Sequence, residues 1–360
     1  RDWSSDVCSS DLEFHKMSVT KPSYHLLKKW ILPTLVVAVL PIAETALAAT
    51  EEVVVYSSRK EHLVKPLFDS FQKETGIMVK YQTGKAGPLI ERIKQEGEQT
   101  PADMLITVDA GNLWYAGSQG IFANIKSAEL SKAVPSQYRD SDGLWHGLSV
   151  RARTIVYSTE RVKPENLTTY ADLADPKWKG RLCLRTSKKI YNKSLVASMI
   201  HHYGEAETEK TIRGWVSNLA VKPFAKDSHL IKAIDSGACD VGIVNTYYFG
   251  RAESKNPKIP VAIFWPDQNG NGVHVNISGA GITKHAPNRE NATKLLTWLV
   301  GPESQKILGG LNKEYPINGG SSVDPQVAAW GHFKADTMNL AETGKKQASA
   351  VKLMQRARYK

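Results

Sequence analysis

Short apolar segments alternate with helix-forming segments along much of the chain. Apolar runs of strand length occupy residues 53–56, 77–81 and 102–107. Between and after them, residues 61–71, 90–98 and 110–117 carry the spacing of a helix with one buried face. Strands that alternate with helices form a sheet covered by helices, usually with the strands parallel. The sequence therefore predicts an α/β fold with a parallel sheet.

A second α/β unit follows a long β-rich run at residues 148–157 that contains no turn residues. The pattern predicts strands at 180–184 and 240–244, helices at 194–203, 207–219 and 230–236, and later helices at 289–300 and 303–308. Two such units joined by an extended crossing segment predict two lobes with a cleft between them. Interdomain clefts are favoured ligand sites, and hinge closure is the expected motion.

Three of the tyrosines in the second unit are candidate ligands. Tyr247 and Tyr248 follow the predicted strand that ends near Asn245, and Tyr191 precedes a predicted helix. Adjacent strand residues point to opposite faces, so the pair can share one ligand only where the strand has ended. An ionised phenol is a hard oxygen donor suited to a hard cation such as Fe³⁺. The alternative is that all three are half-buried structural aromatics.

The N-terminus has the features of an export signal. Residues 1–16 are predicted to be an extraneous or upstream extension. Residues 17–48 combine lysines, an apolar run at 30–40 and the small residues of Ala46-Leu47-Ala48, which predicts a signal peptide cleaved after Ala48. We therefore expect a periplasmic protein. In that oxidising compartment Cys183 and Cys239 would form a disulfide or stay buried as thiols, and the sequence leaves both open.

The formal net charge of +11 favours an anionic ligand or a solvated basic surface. Nucleic acid is not an expected partner, because the chain is predicted to be exported and its basic residues are dispersed. No Cys/His zinc spacing and no glycine-rich phosphate loop occurs in the sequence. A nucleophile motif of the Gly-x-Ser-x-Gly type is also missing, which argues against an exported hydrolase. We therefore expect a binding protein and not an enzyme.

Several stretches together resemble the periplasmic ferric-ion-binding proteins of ABC-type iron importers. They are residues 54–59, 147–153, 175–181, 245–248 and 314–318, and the likeness runs from about residue 50 to 340. The resemblance implies a two-lobed periplasmic-binding-protein-like fold with a hinge of crossing strands. It also implies a monomer that delivers Fe³⁺ to a permease in the inner membrane. Lobe 1 is then expected at 49–150, with 274–324 returning to it. Lobe 2 is expected at 151–273, with C-terminal helices at 325–360 packing on it.

The same resemblance assigns roles to individual residues. Tyr191, Tyr247 and Tyr248 match the family's tyrosine ligands, and Arg59 and Arg151 match positions that hold an accompanying anion or balance phenolate charge. Three phenolates leave octahedral Fe³⁺ short of ligands, so a bidentate synergistic anion such as carbonate would complete the site, clamped by arginine.

One segment departs from the family pattern. Some members place a His or Tyr ligand in the first strand–helix turn, where this chain has Lys60 and Glu61. Glu61 and His62 are retained as additional candidate ligands, although surface or supporting roles are expected for both. A tyrosine-plus-anion site is therefore favoured. The alternative function is a two-lobed receptor for an organic or phosphate-bearing anion.

Overall fold

The computed structural model describes residues 51–360 of the chain. The extension predicted at 1–16 and the signal peptide predicted at 17–48 lie outside these residues. Within residues 51–360, none of the helices combines the length and the apolar character needed to cross a lipid bilayer.

Strands and helices alternate through both halves of the described chain, which confirms the predicted α/β class. The strands are β1 (Glu52–Ser57), β2 (Met78–Thr83), β3 (Met104–Thr107), β4 (His146–Ser158), β5 (Leu182–Cys183), β6 (Val241–Asn245), β7 (Val261–Phe264), β8 (Val275–Ile282) and β9 (Tyr315–Pro316). The helices are α1 (Glu61–Thr75), α2 (Ala86–Glu96), α3 (Ala110–Ser118), α4 (Ala128–Ala133), α5 (Ile190–Asn218), α6 (Asp227–Asp235), α7 (Thr246–Lys255), α8 (Arg289–Leu299), α9 (Pro302–Asn312), α10 (Pro325–Ala328), α11 (Ala341–Lys345) and α12 (Gln347–Arg356).

The sheet is mixed. Its strand order is β2-β1-β3-β8-β4-β6-β5, and β7 and β9 also pair with β4. β1 runs parallel to β2 and β3, and β5 runs parallel to β6. β8 is antiparallel to β3 and β4, and β4 is antiparallel to β6. The prediction of a parallel sheet is therefore wrong for its centre, because residue periodicity reports burial and not the direction of a neighbouring strand.

The long strand β4 passes from one hydrophobic core to another. Arg151 pairs with Asn276 of β8, whereas Arg153 pairs with Asn245 of β6. Val150 and Ala152 belong to the first core, and Ile155 belongs to the second. β4 is thus one of the strands that join the two lobes, and its side chains at alternate positions share one face.

Each core has its own covering helices. The first core includes buried residues of β1, β3 and β8 with residues of α1, α2 and α8. The second core includes Trp178 and Trp215 and also Leu353 of α12, while Leu340 belongs to the first core. A smaller third core contains Ile231 of α6 and Phe249 of α7.

Helix α5 merges the two helices predicted at 194–203 and 207–219. Gly204 interrupts it with a positive φ of 76° and ψ of 170°, which a glycine adopts without steric cost. The helix also begins at Ile190, four residues earlier than expected. That earlier start places Tyr191 in the first helical turn.

Candidate metal centre

The tyrosine pair lies at the junction of β6 and α7. β6 ends at Asn245 and α7 begins at Thr246, so both tyrosines lie in the first turn of the helix, as expected if the strand has ended before them. Their ring centroids are 4.5 Å apart, and Tyr247 is 7% exposed. The first turn of a helix favours negative charge, because its free N–H groups carry partial positive charge.

Tyr191 reaches the same cavity from the first turn of α5. The cavity has a volume of about 820 Å³, and all three tyrosines line it together with Arg59 and Arg151. The structure therefore brings together five of the side chains that the sequence predicted for one site. Residues 58–60, which follow β1, line this cavity together with Ser278 of β8 and residues of α6 and α7.

Two further arginines contact the tyrosine rings. The Arg185 guanidinium carbon lies 5.0 Å from the Tyr191 ring centroid and 5.6 Å from that of Tyr248. The Arg251 guanidinium carbon lies 5.3 Å from the Tyr247 centroid and 5.8 Å from that of Tyr248. Arginine over an aromatic face is favourable, and its charge also stabilises a neighbouring phenolate.

Sequence reasoning missed both of these arginines. Arg251 could have been predicted from its spacing. It stands four residues after Tyr247 and three after Tyr248 in a helix, and side chains at these spacings are neighbours. Arg185 follows the short strand β5, and its approach to Tyr191 and Tyr248 depends on tertiary packing that no local pattern reports.

The phenols of Tyr191 and Tyr247 hold their protons tightly. Burial raises the pKa of Tyr191, and the charge of Tyr248 raises it further, against the lowering effects of Arg151 and Arg185. Burial also raises the pKa of Tyr247 well above its ordinary value, with the charges of the other two tyrosines adding to the effect. A ligand that uses these oxygens as phenolates must therefore displace protons, which a trivalent cation can do.

Arg59 is already paired with a buried carboxylate. Its Nη1 lies 3.1 Å from Oε2 of Glu314, and both side chains are 3% exposed. Burial alone would raise the pKa of the Glu314 carboxyl, but the charges of Arg59 and Arg151 hold it below its usual range. Glu314 is therefore an ionised partner that offsets part of the positive charge at this end of the cavity.

Three cavity arginines nevertheless retain unsatisfied donors. Among the described residues, Nε of Arg59, Nη1 of Arg151 and Nε of Arg185 are buried without a hydrogen-bond partner. The other terminal nitrogen of Arg151, Nη2, donates to the backbone oxygen of Val108. Buried guanidinium donors ordinarily find acceptors, so three free ones around one cavity indicate an anion site.

Glu61 and His62 are not brought to this cavity. Both are exposed at the start of α1, and neither lines the cavity, although their neighbour Lys60 does. Glu61 Oε1 instead accepts a hydrogen bond of 3.1 Å from the Tyr81 hydroxyl. Across residues 51–360, no group of three or more His, Cys, Asp and Glu side chains is arranged to hold a metal ion.

The two cysteines that the sequence left open form a disulfide. Cys183 at the end of β5 is bonded to Cys239 just before β6, and their Cα atoms are 5.9 Å apart. The bond fixes the strand end from which the chain continues to Arg185 and Tyr191.

The cavity wall is strongly basic. Nine arginine and lysine side chains line it against two acidic ones, so the wall attracts a cargo with negative groups of its own. With three phenols in the same wall, the arrangement accommodates a hard cation accompanied by an anion.

Comparison with known proteins gives a consistent result. Residues 99–336 match the family described as bacterial extracellular solute-binding protein. Iron uptake protein A1 of Synechocystis sp. is 45% identical over 326 residues, which cover 89% of this chain and 90% of that protein. A Trichodesmium structure described as a complex with iron and citrate ligands is 44% identical with a TM-score of 0.82, covering 86% of this chain and 100% of the other. Ferric iron-binding protein A of Mannheimia haemolytica, solved in an open conformation, is 40% identical with a TM-score of 0.80, covering 86% and 99%.

Proposed function

Because the chain belongs to the bacterial extracellular solute-binding protein family, and within it to the ferric-iron-binding proteins, we propose that it captures Fe³⁺ and delivers it to an ABC-type importer. One observation carries the proposal: Tyr191, Tyr247 and Tyr248 line a single basic cavity. Hard phenolate oxygens suit a hard trivalent cation, and three of them would neutralise its charge.

The arginines supply the second half of the site. With three phenolates bound, octahedral Fe³⁺ still needs oxygen ligands, and an anion held by Arg59, Arg151 and Arg185 provides them. Carbonate fits as a bidentate ligand. A polycarboxylate also fits, because the cavity of about 820 Å³ is basic well beyond the tyrosines. Citrate is the anion named in the Trichodesmium structure.

Colour tests the iron proposal directly. Charge transfer from phenolate to Fe³⁺ produces a visible absorption band, so titration with ferric citrate should turn the protein red or orange. Running the titration with and without bicarbonate separates the two anions: carbonate predicts a band that needs bicarbonate, and a polycarboxylate predicts a band that does not. A protein that stays colourless in both titrations would contradict the iron proposal.

Arg185 offers a test of the anion site that leaves the three phenol oxygens in place. Arg185→Lys keeps a positive charge beside Asp227, whose Oδ2 lies 3.1 Å from Arg185 Nη1, but removes the planar fork. We expect iron affinity to fall about tenfold, as for other supporting residues of metal sites. Arg181→Lys is the matched control, because Arg181 pairs with Asp240 and does not line the cavity. Equal effects of the two changes would contradict the anion role.

The alternative function is a receptor for an organic or phosphate-bearing anion. The excess of basic side chains in the cavity favours it, and in that case the tyrosines would stack on the solute or donate hydrogen bonds. Calorimetry with iron-free citrate, inorganic phosphate and a sugar phosphate distinguishes the two. Binding of an iron-free anion more tightly than its ferric complex would favour the alternative.

Export and partner are part of the same proposal. We infer that cleavage after Ala48 releases a periplasmic monomer that docks on a permease in the inner membrane. Membership in the extracellular solute-binding family supports the permease partner. N-terminal sequencing of the exported protein should begin at Ala49, and light scattering should give the mass of one chain. We also infer that the protein has no catalytic activity, and a turnover screen on generic esters and phosphoesters should be negative.

A further inference from the structure

Three buried polar side chains lie beside the segments that carry the tyrosines, and the proposed function gives them no role. Arg153 of β4, Asn192 of α5 and Asn245 of β6 are 2%, 3% and 2% exposed. Asn192 immediately follows Tyr191, and Asn245 stands two residues before Tyr247. Arg153 therefore lies between the two segments that carry the proposed ligands.

Arg153 binds both asparagines through their oxygens. Its Nη2 and Nε donate to Oδ1 of Asn192 at 2.6 and 3.1 Å, and its Nη1 donates to Oδ1 of Asn245 at 3.0 Å. Asp227 balances its charge, with Oδ2 3.5 Å from Nη1. Arginine has donors only, so it accepts nothing and fixes which end of each side-chain amide faces it.

The fixed orientation of the Asn245 amide determines which of its atoms faces the Tyr247 hydroxyl. Because Oδ1 of Asn245 is taken by Arg153, its Nδ2 faces the other way and donates to the Tyr247 hydroxyl oxygen at 3.1 Å. Nδ2 of Asn192 likewise donates to the backbone oxygen of Arg185 at 2.8 Å and to the Tyr359 hydroxyl at 2.7 Å. One guanidinium thereby ties the Tyr191 segment, the Tyr247 segment and the C-terminal Tyr359 together.

We propose that Arg153 is a positioning residue of the metal centre, which acts through Asn192 and Asn245 to hold Tyr191 and Tyr247 in register and to place an amide donor on the Tyr247 oxygen. This inference rests on the proposed iron function. Groups that hydrogen-bond to metal ligands orient them and tune the electron density they give to the metal. A phenolate oxygen that accepts a hydrogen bond from an amide N–H is a weaker electron donor to iron than one that accepts none.

Two variants and one control test the inference by spectrum and affinity. Asn245→Ala removes the amide donor, and Arg153→Lys keeps a charge for Asp227 but removes the fork that orients both asparagines. Asn218→Ala is the control, because Asn218 is 3% exposed and its Nδ2 donates to the backbone oxygens of Leu173 and Asp175, at 2.9 and 2.7 Å. Thermal unfolding is measured for all three.

We expect Asn245→Ala and Arg153→Lys to move the charge-transfer band to longer wavelength and to weaken ferric citrate binding by about tenfold or more. Asn218→Ala should lower the unfolding temperature. Its charge-transfer band should stay at the wavelength of the unmodified protein, and its affinity for ferric citrate should stay within about twofold. If Asn245→Ala does not fold, the band and the affinity of Arg153→Lys test the inference.

Two results would overturn this inference alone. One is that Asn245→Ala or Arg153→Lys folds and shows an unchanged band and affinity. This result rejects the positioning role but not the iron function. The other is a control that shifts the band as much as Asn245→Ala does, because the effect would then come from general destabilisation. An unmodified protein without any band rejects the proposed function, and the positioning role with it.

Discussion

A phenol is a poor ligand until it loses its proton, and the surroundings of Tyr191 and Tyr247 make that loss difficult in the absence of a metal. Burial raises the pKa of Tyr191 and Tyr247, while Arg151 and Arg185 act in the opposite direction on Tyr191. Arg251 also lies against the rings of Tyr247 and Tyr248. The arginines therefore favour ionisation only partly, and a strongly charged cation must supply the rest. This requirement is a source of selectivity for Fe³⁺ over softer or less charged ions.

Removal of two phenol oxygens should abolish iron binding. The double change Tyr247→Phe and Tyr248→Phe keeps both rings and their packing but leaves at most one phenolate for the metal. We expect no visible band on titration with ferric citrate. Tyr157→Phe is the control, since Tyr157 is 9% exposed in the second core and does not line the cavity. Stoichiometric tight iron in the double variant would contradict the assignment.

Iron affinity should fall steeply with acidification. The raised pKa values keep Tyr191 and Tyr247 protonated in the free protein at neutral pH, so binding releases their two protons. Affinity is thus highest at high pH and falls as pH falls, by at least about 100-fold per pH unit, since these two protons alone contribute that much. Equilibrium titrations between about pH 7 and pH 5, with proton release followed in parallel, check this. A flat affinity over that range would count against phenolate ligation.

At the scale of elements, the strand–helix junctions carry the site. The Tyr247–Tyr248 pair was predictable because strand residues alternate in direction, so a shared ligand required β6 to end first, and it ends at Asn245. Arg185 and the contact of Arg153 with both asparagines were not predictable. They depend on which strands become neighbours, and the sequence pattern predicted a parallel arrangement where β4 and β8 are antiparallel.

The disulfide is the main covalent constraint on these junctions. It closes a loop between residues 56 positions apart, Cys183 and Cys239, and both are buried. Replacing both by Ala should lower the free energy of unfolding by about 4 kcal/mol, because the unfolded chain regains loop freedom. Urea unfolding of the oxidised protein and the double variant measures the difference. A loss below about 1 kcal/mol would mean that the crosslink contributes little beyond packing.

At the scale of the molecule, two cores share the strands that cross between them. We propose lobe 1 as residues 49–150 with 274–324, and lobe 2 as 151–273 with 325–360. The membership of Ile155, Trp215 and Leu353 in the second core supports this division, whereas Leu340 packs in the first core. The sequence pattern indicates two α/β units, whereas the lobe bounds, with residues 325–360 assigned to lobe 2, follow from the family resemblance.

Closure of the lobes over the cargo follows from the placement of the site. The tyrosines lie in the second proposed lobe, and Arg59 and Ser278 line the cavity from the first. Small-angle scattering should therefore show a smaller radius of gyration with ferric citrate than without it. The Tyr247→Phe and Tyr248→Phe double variant should show no change under the same conditions. Equal compaction in both proteins would indicate that the anion alone closes the lobes.

The most direct measurement is a crystal structure of the iron-loaded protein with anomalous scattering recorded at the iron edge. The account predicts one iron peak bonded to the phenolic oxygens of Tyr191, Tyr247 and Tyr248, with an anion between the iron and the cavity arginines. An iron peak elsewhere, with the three rings packed among their neighbours and their oxygens away from the metal, would contradict it.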